Sequence, residues 1–513
     1  MRRWSRFAVL ASSMAVTTSG FGGSAAHADN TAPIPNCSDQ LAAPSSSVSL
    51  AVTIGHNGTA IMQGQGTNAQ HGALTYHFDF GDGSTLTQSS PTVSHVYDHD
   101  ASFGPVVTVT DANGVSATSA ECSLNVIGVP NSVQRFGGAS RYQTATAISQ
   151  KLWAGASGDN TAGRRQAKAV VLASGEGFAD ALAGTPLAAY KQGPLLLTAS
   201  TELTKDTETE IQRILPPGST VYILGGTSAV SPTVDAKLRA DGYQTTRYGG
   251  GDRYATAMLI ATHGLDNPAS TIVVTGQDFP DGLAAGPVAT SDTFSTDGKP
   301  AAIMLSNGDH ITDQATAAFV KARLGLYLIS GPHSESAHVL ALGGQAFCAV
   351  YAVDGGPGCD STMKHFASNT YANGLINYAW AVPGKDGIGH DSGGFMGLSG
   401  MNRYETAAAV AHTGITGHSN RPDAAISGAY NERFGLASGD TYPDALTGAA
   451  AMATLHTPIL LTKRDYFPPA TLKFLTGIPF TPRYEQTVEA DIFGGPGAIS
   501  TGLEAQLVVG ITQ

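Results

Sequence analysis

Positive charge is scarce in this chain of 513 residues, in which 28 lysines and arginines face 40 aspartates and glutamates and the formal net charge is −12. A chain this acidic is not expected to bind nucleic acid through a general basic surface, although local arginine pockets can still hold an anionic polymer. Charged residues of both signs make up only 13% of the sequence, which argues against a coiled coil or a solvated helical rod. The apolar runs after the N-terminus are too short to predict a transmembrane helix.

Motifs of catalysis and of cofactor binding are also missing. The sequence contains no His-Glu-x-x-His pair, no Gly-x-Ser-x-Gly elbow, no P-loop and no Gly-x-Gly-x-x-Gly, and its 15 histidines show no metal-ligand spacing. We therefore expect no enzymatic activity, no cofactor and no metal site. One alternative stays open, a hydrolase with an unrecognised active site, for which His365, His390 and Asp391 are the candidates.

The first residues have the layout of a secretory signal peptide. Three arginines precede a short apolar run over residues 7–16, and a small-x-small site ends at Ala28. This pattern predicts a signal peptide over residues 1–28 and secretion. A cytosolic protein is the less favoured alternative. Cleavage would remove three arginines and no acid, so the mature chain would be more acidic still.

Cysteine is rare, with four residues in the whole chain. Cys37 and Cys122 bracket the N-terminal region, whereas Cys348 and Cys359 lie close together in the second half. An even number of cysteines in an oxidising compartment predicts the disulfides Cys37–Cys122 and Cys348–Cys359. Zinc is not expected, because no Cys-x-x-Cys or nearby histidine pair supplies tetrahedral ligands.

Residues 36–127 alternate apolar and polar positions in short runs separated by turn residues, a pattern typical of a small β-sandwich. Their centre reads Phe-Asp-Phe-Gly-Asp-Gly from Phe78 to Gly83. This sequence resembles the PKD domain, an immunoglobulin-like extracellular module, and the resemblance implies a spacer or contact role without catalysis. Asp79 and Asp82 could bind calcium or cap turns, and the small number of nearby carboxylates favours turn caps.

The rest of the chain contains three copies of one pattern. Each copy opens on Gly-x-x-Arg-Tyr-x-Thr-Ala and continues with a block of small residues around an aspartate, an apolar strand, and a strand that ends in a glycine pair. The third copy has Gly397 where the first two have Arg135 and Arg247, so a ligand role of those arginines would leave its site weak.

This combination resembles the cell wall binding repeat 2 family over residues 131–513. The resemblance implies three modules, at residues 131–243, 244–396 and 397–513, that pack around a pseudo-threefold axis and attach the protein to the wall of a Gram-positive bacterium. The second module has insertions at residues 291–299 and 327–395, which we interpret as surface additions. Three weak sites on one chain would bind a repetitive polymer with avidity.

The periodicity of one copy predicts its fold independently. In the first copy, apolar runs at residues 169–174, 194–198 and 220–224 are typical of strands buried on both faces. Amphipathic stretches at residues 180–190 and 205–215 fit the helices between them. Ser231 and Pro232 fit the start of a further helix. The right-handed crossover rule then gives a flavodoxin-like or Rossmann-like α/β unit with a mainly parallel sheet.

The residues that recur in every copy are the candidates for polymer binding. A glycine-rich loop before a helix offers free N–H groups, and an arginine there can hold phosphate or carboxylate. The same arginine could instead pair with the repeated aspartate and merely fix the loop. We consider both roles about equally supported. The predicted site consists of Arg141, Tyr142, Asp180, Arg253, Tyr254, Asp281, Arg403, Tyr404 and Asp444.

The predicted function is that of a non-catalytic secreted surface protein held non-covalently on the cell wall. The expected partner is a wall glycopolymer, anionic in the favoured version, or peptidoglycan. Nucleic acid is not expected as a partner. No membrane span is expected after signal cleavage. The PKD-like domain could bind a protein or carbohydrate, and an adhesin that acts through this domain is the second alternative.

Overall fold

A computed structural model describes most of the chain after the signal region. The described residues are 48–54, 59–66, 73–97, 101–126, 132–157, 164–291, 294–295, 297–324, 326–328, 335–353, 359, 380–382, 395–412, 431–477 and 487–512. The predicted signal peptide, Cys37 and the candidate hydrolase residues His365, His390 and Asp391 lie outside these ranges.

The N-terminal domain is an antiparallel β-sandwich. Its sheets have the strand orders β1-β2-β5, β4-β3-β7-β8 and β6-β9, and every pairing is antiparallel. Alternate side chains of β3, β5 and β7 are buried, as the sequence alternation predicts. The strands are β1 (Val48–Ile54), β2 (Thr59–Gly66), β3 (Thr75–Asp79), β4 (Thr85–Gln88), β5 (Thr92–Val96), β6 (Ala101–Phe103), β7 (Val106–Thr110), β8 (Ser116–Thr118) and β9 (Leu124–Val126).

The first repeat gives a three-layer α/β unit with an all-parallel sheet of order β12-β11-β13-β14. β11 and β12 are buried along their whole length because helices cover both faces. The strands β11, β12 and β13, the helices α2 and α3 and the Ser231 N-cap lie where the sequence predicts them, whereas β10 and β14 were not predicted. The elements are β10 (Ser132–Phe136), α1 (Arg141–Leu152), β11 (Ala169–Ser174), α2 (Ala179–Tyr190), β12 (Leu195–Thr198), α3 (Lys205–Ile214), β13 (Thr220–Leu224), α4 (Pro232–Ala240) and β14 (Gln244–Tyr248).

The second repeat has the same core, extended at one edge. Its sheet has the order β16-β15-β19-β21-β20, in which only β20 is antiparallel. β17 and β18 form a separate hairpin. The elements are α5 (Arg253–Leu259), a π-helical turn (Ile260–Gly264), β15 (Thr271–Thr275), a 3-10 turn (Asp281–Ala284), α6 (Ala285–Ala289), β16 (Ala302–Ser306), α7 (Gln314–Lys321), β17 (Leu326–Leu328), β18 (Glu335–Ala337), β19 (Val339–Leu342), α8 (Gly344–Val353), β20 (Trp380–Val382) and β21 (Phe395–Leu398).

The third repeat completes its sheet with a strand from the beginning of the repeat region. The sheet order is β10-β24-β22-β23, and β10 pairs in parallel with β24 from Ser132 opposite Glu489 to Phe136 opposite Phe493. The elements are α9 (Arg403–His412), β22 (Asn431–Ser438), α10 (Pro443–Leu455), β23 (Ile459–Thr462), α11 (Pro469–Gly477), β24 (Thr487–Phe493) and α12 (Thr501–Thr512).

The opening strand of each copy therefore belongs to the sheet of the copy before it. β14 precedes the second copy and lies in the first sheet, β21 precedes the third copy and lies in the second sheet, and β10 closes the third sheet. This exchange joins the three units into a closed ring in which residues far apart in sequence pair directly.

Three helices, α2, α6 and α10, contact one another at the centre of the ring. Small residues allow this close packing. A Cβ atom placed on Gly286 of α6 would lie 2.8 Å from Thr185 Oγ1 of α2 and 3.3 Å from the carbonyl oxygen of Ala449 of α10. One buried apolar cluster extends through all three repeats. We call the line on which the three helices meet the central axis.

Candidate functional site

Each repeated arginine is the first residue of a helix. Arg141 begins α1, Arg253 begins α5 and Arg403 begins α9. Each guanidinium donates a hydrogen bond to a glycine carbonyl in the loop after the first buried strand of its own copy, at Gly175, Gly276 and Gly439 respectively. The three arginines are thus held in the same way at the carboxyl ends of the strands. A hydrogen bond to a neutral carbonyl does not by itself compensate the charge of the arginine.

The repeated tyrosines pack on these same glycines. A Cβ atom on Gly175 would lie 2.7 Å from Cε1 of Tyr142, and one on Gly439 would lie 2.5 Å from Cε1 of Tyr404. In the second copy, a Cβ atom on Gly276 would lie 3.1 Å from Cε1 of Tyr254. The tyrosine rings therefore hold the loops that bind the arginines, which is why glycine stands at the start of each loop.

The repeated aspartates connect neighbouring copies. Each aspartate lies in the first helical turn after the first buried strand of its copy. Its carboxylate accepts a hydrogen bond from the hydroxyl of the buried threonine in the opening motif of the next copy. The pairs are Asp180 with Thr256, Asp281 with Thr406, and Asp444 with Thr144, so the series closes on itself. Each threonine hydroxyl also accepts a hydrogen bond from a glycine N–H in the loop that precedes its helix.

Burial raises the pKa of all three aspartates, and the nearby arginine opposes this shift. Arg253 acts on Asp180, Arg403 on Asp281 and Arg141 on Asp444. The arginine thus belongs to the copy that follows the aspartate. The pairing considered from the sequence therefore exists as an electrostatic contact between copies, while the direct hydrogen bond to the carboxylate comes from threonine.

The glycine pairs make room for these aspartates. Gly225, Gly343 and Gly494 all have positive φ, between 89° and 116°. A Cβ atom on Gly225 would lie 2.5 Å from Oδ2 of Asp180, and one on Gly494 would lie 2.7 Å from Oδ2 of Asp444. Only glycine satisfies both the backbone conformation and the close approach. The pairs are backbone turns, as the lack of phosphate-loop spacing predicts.

Three aromatic rings meet on the central axis beside the arginines. The ring centroids of Phe178 and Phe279 are 6.0 Å apart, those of Phe279 and Tyr442 are 5.6 Å apart, and those of Phe178 and Tyr442 are 5.9 Å apart. The guanidinium carbon of Arg253 is 5.4 Å from the Phe178 centroid, and that of Arg403 is 5.5 Å from the Phe279 centroid. We call these rings the axial aromatic cluster.

The axial aromatic cluster was not among the residues predicted from the sequence. The signal was present, because an aromatic residue stands two positions before the aspartate in every copy. Its significance depends on the ring closure, which brings one residue from each copy to the axis. The result is a face with half-buried rings and two guanidinium groups beside them, a surface able to contact the apolar side of a sugar and an attached anion together.

Arg135 and Arg247 have a different role. Arg247 donates hydrogen bonds to the carbonyl oxygens of Gly225 and Val230. Arg135 donates a hydrogen bond to the carbonyl oxygen of Gly494 and forms an ion pair with Glu504 at 3.0 Å. Both hold a strand against a glycine pair. In the second sheet the equivalent residue is Gly397, which packs against Phe347. A Cβ atom on Gly397 would lie 2.5 Å from the phenyl ring. The missing arginine therefore reflects packing in that sheet.

The sandwich contacts the opposite end of the central axis. Arg165 donates a hydrogen bond of 2.7 Å to the carbonyl oxygen of Thr454, at the C-terminal end of α10. It donates a second hydrogen bond, of 3.1 Å, to the backbone carbonyl oxygen of Asp82 in the sandwich. A cavity of about 650 Å³ lies beside this contact, lined by Gly83, Thr85, Trp153, Arg165, Gln166, Lys168, Ala189, Tyr190, Gln192, Thr290, Ser295, Gly298, Pro300, Thr454 and His456. The repeated arginines lie near the N-terminal ends of the central helices, so the two features are at opposite ends.

The two aspartates considered for calcium form turns within the sandwich. Asp79 accepts from the N–H of Gly81, and Asp82 accepts from Ser84 and from the ring nitrogen of His95 at 2.8 Å. These contacts agree with the turn-cap interpretation. Within the described part of the chain, no group of three or more histidine, cysteine or acidic residues could hold a metal ion.

The Cys348–Cys359 disulfide is present, with its Cα atoms 5.4 Å apart. It ties the middle of α8 to Cys359. Because β19 lies inside the sheet and α8 packs against it, the interpretation of residues 327–395 as surface additions was wrong for these two elements. Cys122 is buried and disulfide-bonded, but its predicted partner Cys37 lies outside the described residues. Among the helices that the structure describes, none is long and apolar enough to cross a membrane.

A closed ring of three α/β units with a shared, symmetry-related face defines a class of multi-copy binding modules. The chain belongs to the cell wall binding domain 2 (CWB2) family, whose model matches residues 135–235, 247–347 and 398–504. A PKD domain model matches residues 41–126. Both resemblances stated from the sequence are thereby confirmed, and the repeats mark the protein as associated with the cell wall.

Two curated proteins of Bacillus subtilis (strain 168) are similar to this chain. The N-acetylmuramoyl-L-alanine amidase LytC is 27% identical over 385 residues, which are 74% of this chain and 60% of LytC. The protein named amidase enhancer is 35% identical over 179 residues, which are 35% of this chain and 22% of that protein. The chain thus spans less than two thirds of either relative.

Two solved structures share the fold. Cwp8 from Clostridium difficile superposes with a TM-score of 0.51 at 17% identity, covering 94% of this chain and 85% of Cwp8. Cwp6 from the same organism has a TM-score of 0.51 at 18% identity, covering 91% of this chain and 68% of Cwp6. These similarities confirm the predicted fold class.

Proposed function

We propose that this protein is a secreted, non-catalytic surface protein that attaches non-covalently to the cell wall through the face formed by its three repeats. The favoured ligand is an anionic wall polymer. The observation that supports this most directly is the position of Arg253 and Arg403 beside the axial aromatic cluster, at the carboxyl ends of parallel strands. Arg141 is held in the same way at the carboxyl end of its own strand. Open α/β sheets bind their ligands at that end of the strands.

The chemistry of this face fits a charged glycan. Aromatic rings stack on the apolar faces of sugars, and arginine binds phosphate or carboxylate in a fixed, two-pronged geometry. The whole chain is acidic, so attraction has to be local and should weaken as salt is added. The ring carries one arginine from each copy, and one polymer chain could therefore engage more than one of them.

The arginines and the aspartates have distinct parts in this proposal. The buried carboxylates hold the copies together through threonine and set the position of the arginines. The tyrosines fix the loops that the arginines bind. Direct contact with the polymer is thus assigned to the guanidinium groups and the axial aromatic cluster, with the other predicted residues positioning them.

The PKD domain is proposed to act as a spacer or contact domain at the far end of the ring. Arg165 joins it to the C-terminal end of α10, so it projects away from the face with the repeated arginines. In this arrangement the repeats face the wall and the sandwich faces outward. A protein or carbohydrate ligand of the sandwich would be consistent with an adhesin, and binding by the sandwich without wall binding would favour that alternative.

The test is retention of the full mature chain on purified walls, before and after chemical removal of the covalently attached anionic polymer. We expect binding that is lost on removal of the polymer and lowered by salt. Unchanged binding after stripping would assign peptidoglycan as the ligand, and no retention on either preparation would contradict wall attachment. Loss of wall turbidity during the incubation would instead favour the hydrolase alternative.

A further inference from the structure

The cavity of about 650 Å³ between the ring and the sandwich lies at the end of the central axis away from the repeated arginines. Its walls come from the C-terminal ends of α2, α6 and α10 and from the sandwich turn at Gly83 and Thr85. All three copies and the sandwich therefore contribute to one cavity. Ligand pockets have volumes of about 300–1,000 Å³ and are common at interfaces between domains, so the size and the position of this cavity suit a small ligand.

The backbone acceptors at these helix ends already have donors within the protein. Arg165 donates to the carbonyl oxygen of Thr454 at 2.7 Å, and the hydroxyl of Thr290 donates to that of Ala453 at 2.8 Å. The ring nitrogen Nδ1 of His456 donates to the carbonyl oxygen of Thr290 at 2.9 Å. These three side chains hold helix ends, which is a structural role and does not by itself indicate a ligand.

Trp153 differs from them because its polar atom has no partner. The side chain lines the cavity and is buried, with 3% of its surface exposed. Within the described part of the chain, the indole N–H donates no hydrogen bond, yet its nitrogen is not enclosed by protein atoms. The small exposed part of Trp153 therefore includes this N–H, and the cavity is where an acceptor for it can lie. Buried indole N–H groups usually have such an acceptor, so this one indicates a position for a ligand atom.

Two further donors stand next to Trp153 on the same wall. Trp153 forms a β-bridge with Arg165, which places the indole beside the segment that carries Gln166 and Lys168. Both of these side chains are exposed and line the cavity. The backbone N–H of Lys168 donates to the carbonyl oxygen of Gln192 at 2.8 Å, which anchors the segment just after α2. The wall thus presents an indole N–H, an amide and an ammonium group from neighbouring positions.

Acidic residues do not neutralise this wall. Among the described residues that line the cavity, none is an aspartate or a glutamate. The acids of the neighbouring loops have partners of their own. The carboxylate of Asp82 lies 2.8 Å from the ring nitrogen of His95. Asp266 forms an ion pair of 3.0 Å with Lys299, and Asp297 accepts from the backbone N–H of Lys299 at 3.3 Å.

The side chains of the cavity therefore offer donors and positive charge, while its backbone acceptors are occupied. The ring of Tyr190 lines the cavity as well and adds an aromatic surface. We propose that this cavity binds an acidic saccharide of one or two sugar units, with its carboxylate or phosphate against Lys168 and a further oxygen accepting from the Trp153 indole. Aromatic rings pack on the apolar faces of sugars, and charged oxygens accept the stronger hydrogen bonds. This site is separate from the wall-binding face and does not depend on it.

The test compares three monosaccharides that differ at one carbon atom. Glucuronic acid carries a carboxylate there, glucose 6-phosphate carries a phosphate, and glucose carries a neutral hydroxyl. We expect both acids to bind the full mature chain with a dissociation constant of about 1 mM, and glucose to bind at least about tenfold more weakly. Isothermal titration calorimetry gives the affinities, and the acid that binds more tightly identifies the preferred charged group.

Trp153 also reports whether the saccharide occupies this cavity. The sequence contains three tryptophans, of which Trp4 belongs to the predicted signal peptide. In the variant Trp380→Phe, Trp153 is the one tryptophan of the mature chain, and its fluorescence should change as glucuronic acid is added. Constant fluorescence during binding that calorimetry detects would place the saccharide elsewhere and overturn the assignment.

Two variants test the donors separately. Lys168→Gln removes an exposed charge and should weaken the binding of glucuronic acid by about threefold to tenfold, with glucose affected by less than about twofold. Trp153→Phe removes the indole N–H but keeps an aromatic ring, and it should weaken acidic and neutral sugars alike by about threefold to tenfold. Lys205→Gln is the control for loss of a lysine, because that side chain is 78% exposed on α3. Its affinities should equal those of the unaltered chain.

Equal affinities for glucose and the two acids, or full affinity in Lys168→Gln, would overturn the proposal. Binding of the peptide triglutamate without binding of either acidic sugar would assign the cavity to an acidic peptide instead. Wall retention of Lys168→Gln should equal that of the unaltered chain, and reduced retention would contradict a separate site. Failure of the wall-retention test would leave this proposal standing, and failure of the sugars to bind would leave wall attachment standing. Melting temperatures of all variants would verify that they fold.

Discussion

At the scale of single residues, the buried aspartates are the least expected feature of the site. Asp180, Asp281 and Asp444 are charged groups at interfaces between copies, and burial disfavours their ionised form. Each has a threonine donor and a nearby arginine as compensation. The sequence predicts these residues through their repetition, but their role in joining copies follows only from the structure.

The raised pKa of Asp281 leads to a prediction about pH. Because the folded-state pKa lies above the ordinary value of 3.8, the folded protein holds this proton more tightly than the unfolded chain. The resulting stability is fully present below the unfolded pKa and is lost as pH rises through the folded pKa. Asp281→Asn should remove this loss of stability. The difference in melting temperature, variant minus unaltered chain, should therefore increase as the pH is raised from about 4.

The measurement is a series of thermal unfolding curves between about pH 4 and pH 7, in the range where carboxylates titrate. Asp266→Asn is the control, since Asp266 is a largely exposed acid of the same copy whose ion-pair partner is a lysine. Parallel pH profiles for Asp281→Asn and the unaltered chain would contradict the prediction.

At the scale of elements, the strand β10 closes the ring. It pairs with β24, and Arg135 adds hydrogen bonds to Gly494 and an ion pair with Glu504. We predict that Arg135→Met lowers the free energy of unfolding by about 1–3 kcal/mol, because a partly buried carbonyl and carboxylate lose their donor. The effect should be local to the third unit.

Hydrogen exchange would locate this effect. Amides of β24 should exchange faster in Arg135→Met, while those of β13 in the first sheet should keep their rates. Arg239→Met is the control, because Arg239 is exposed and forms an ion pair within one helix. Uniform acceleration across all three sheets would show that the units unfold together and would contradict a local effect.

The close packing of the central helices gives a second prediction at this scale. In Gly286→Ala the new methyl group would lie 2.8 Å from Thr185 Oγ1, a distance that forces the neighbours to move. We expect a loss of about 1–3 kcal/mol in the free energy of unfolding, as is typical of overpacking. Gly497→Ala is the matched control, since no atom lies within 4 Å of its added Cβ. Equal stability of the two variants in urea unfolding would argue against tight contact at the central axis.

At the scale of the whole molecule, the ring places wall contact and display at opposite ends of one axis. The connection to the PKD domain depends partly on Arg165, which contacts the end of α10 and the turn of the sandwich. A cation at a helix C-terminus is favourable because carbonyl groups there lack partners. We predict that Arg165→Gln loosens this contact without affecting wall retention.

Small-angle X-ray scattering of the full chain would test this prediction. The radius of gyration should increase in Arg165→Gln, and wall retention should equal that of the unaltered chain. Arg164→Gln, the adjacent basic residue, is the control for loss of charge. An unchanged scattering profile would mean that other contacts hold the sandwich, and reduced wall retention would mean that the wall-binding face extends to this end.

The sequence by itself determined the repeat number, the α/β fold of one unit and the sandwich, because each depends on local periodicity and on motifs that recur. The strands β11, β12 and β13 and the helices α2 and α3 lie where apolar patterning predicts them. The nine candidate residues were found by repetition alone, and the structure brings them together with the axial aromatic cluster at one end of the ring.

Only the tertiary structure decided which copy supplies each partner. A strand edge can pair with any parallel strand of suitable register, so the sequence could not show that β10 joins β24 or that Asp444 meets Thr144. Those choices depend on closing three units around one axis, where contacts form between residues 300 or more positions apart.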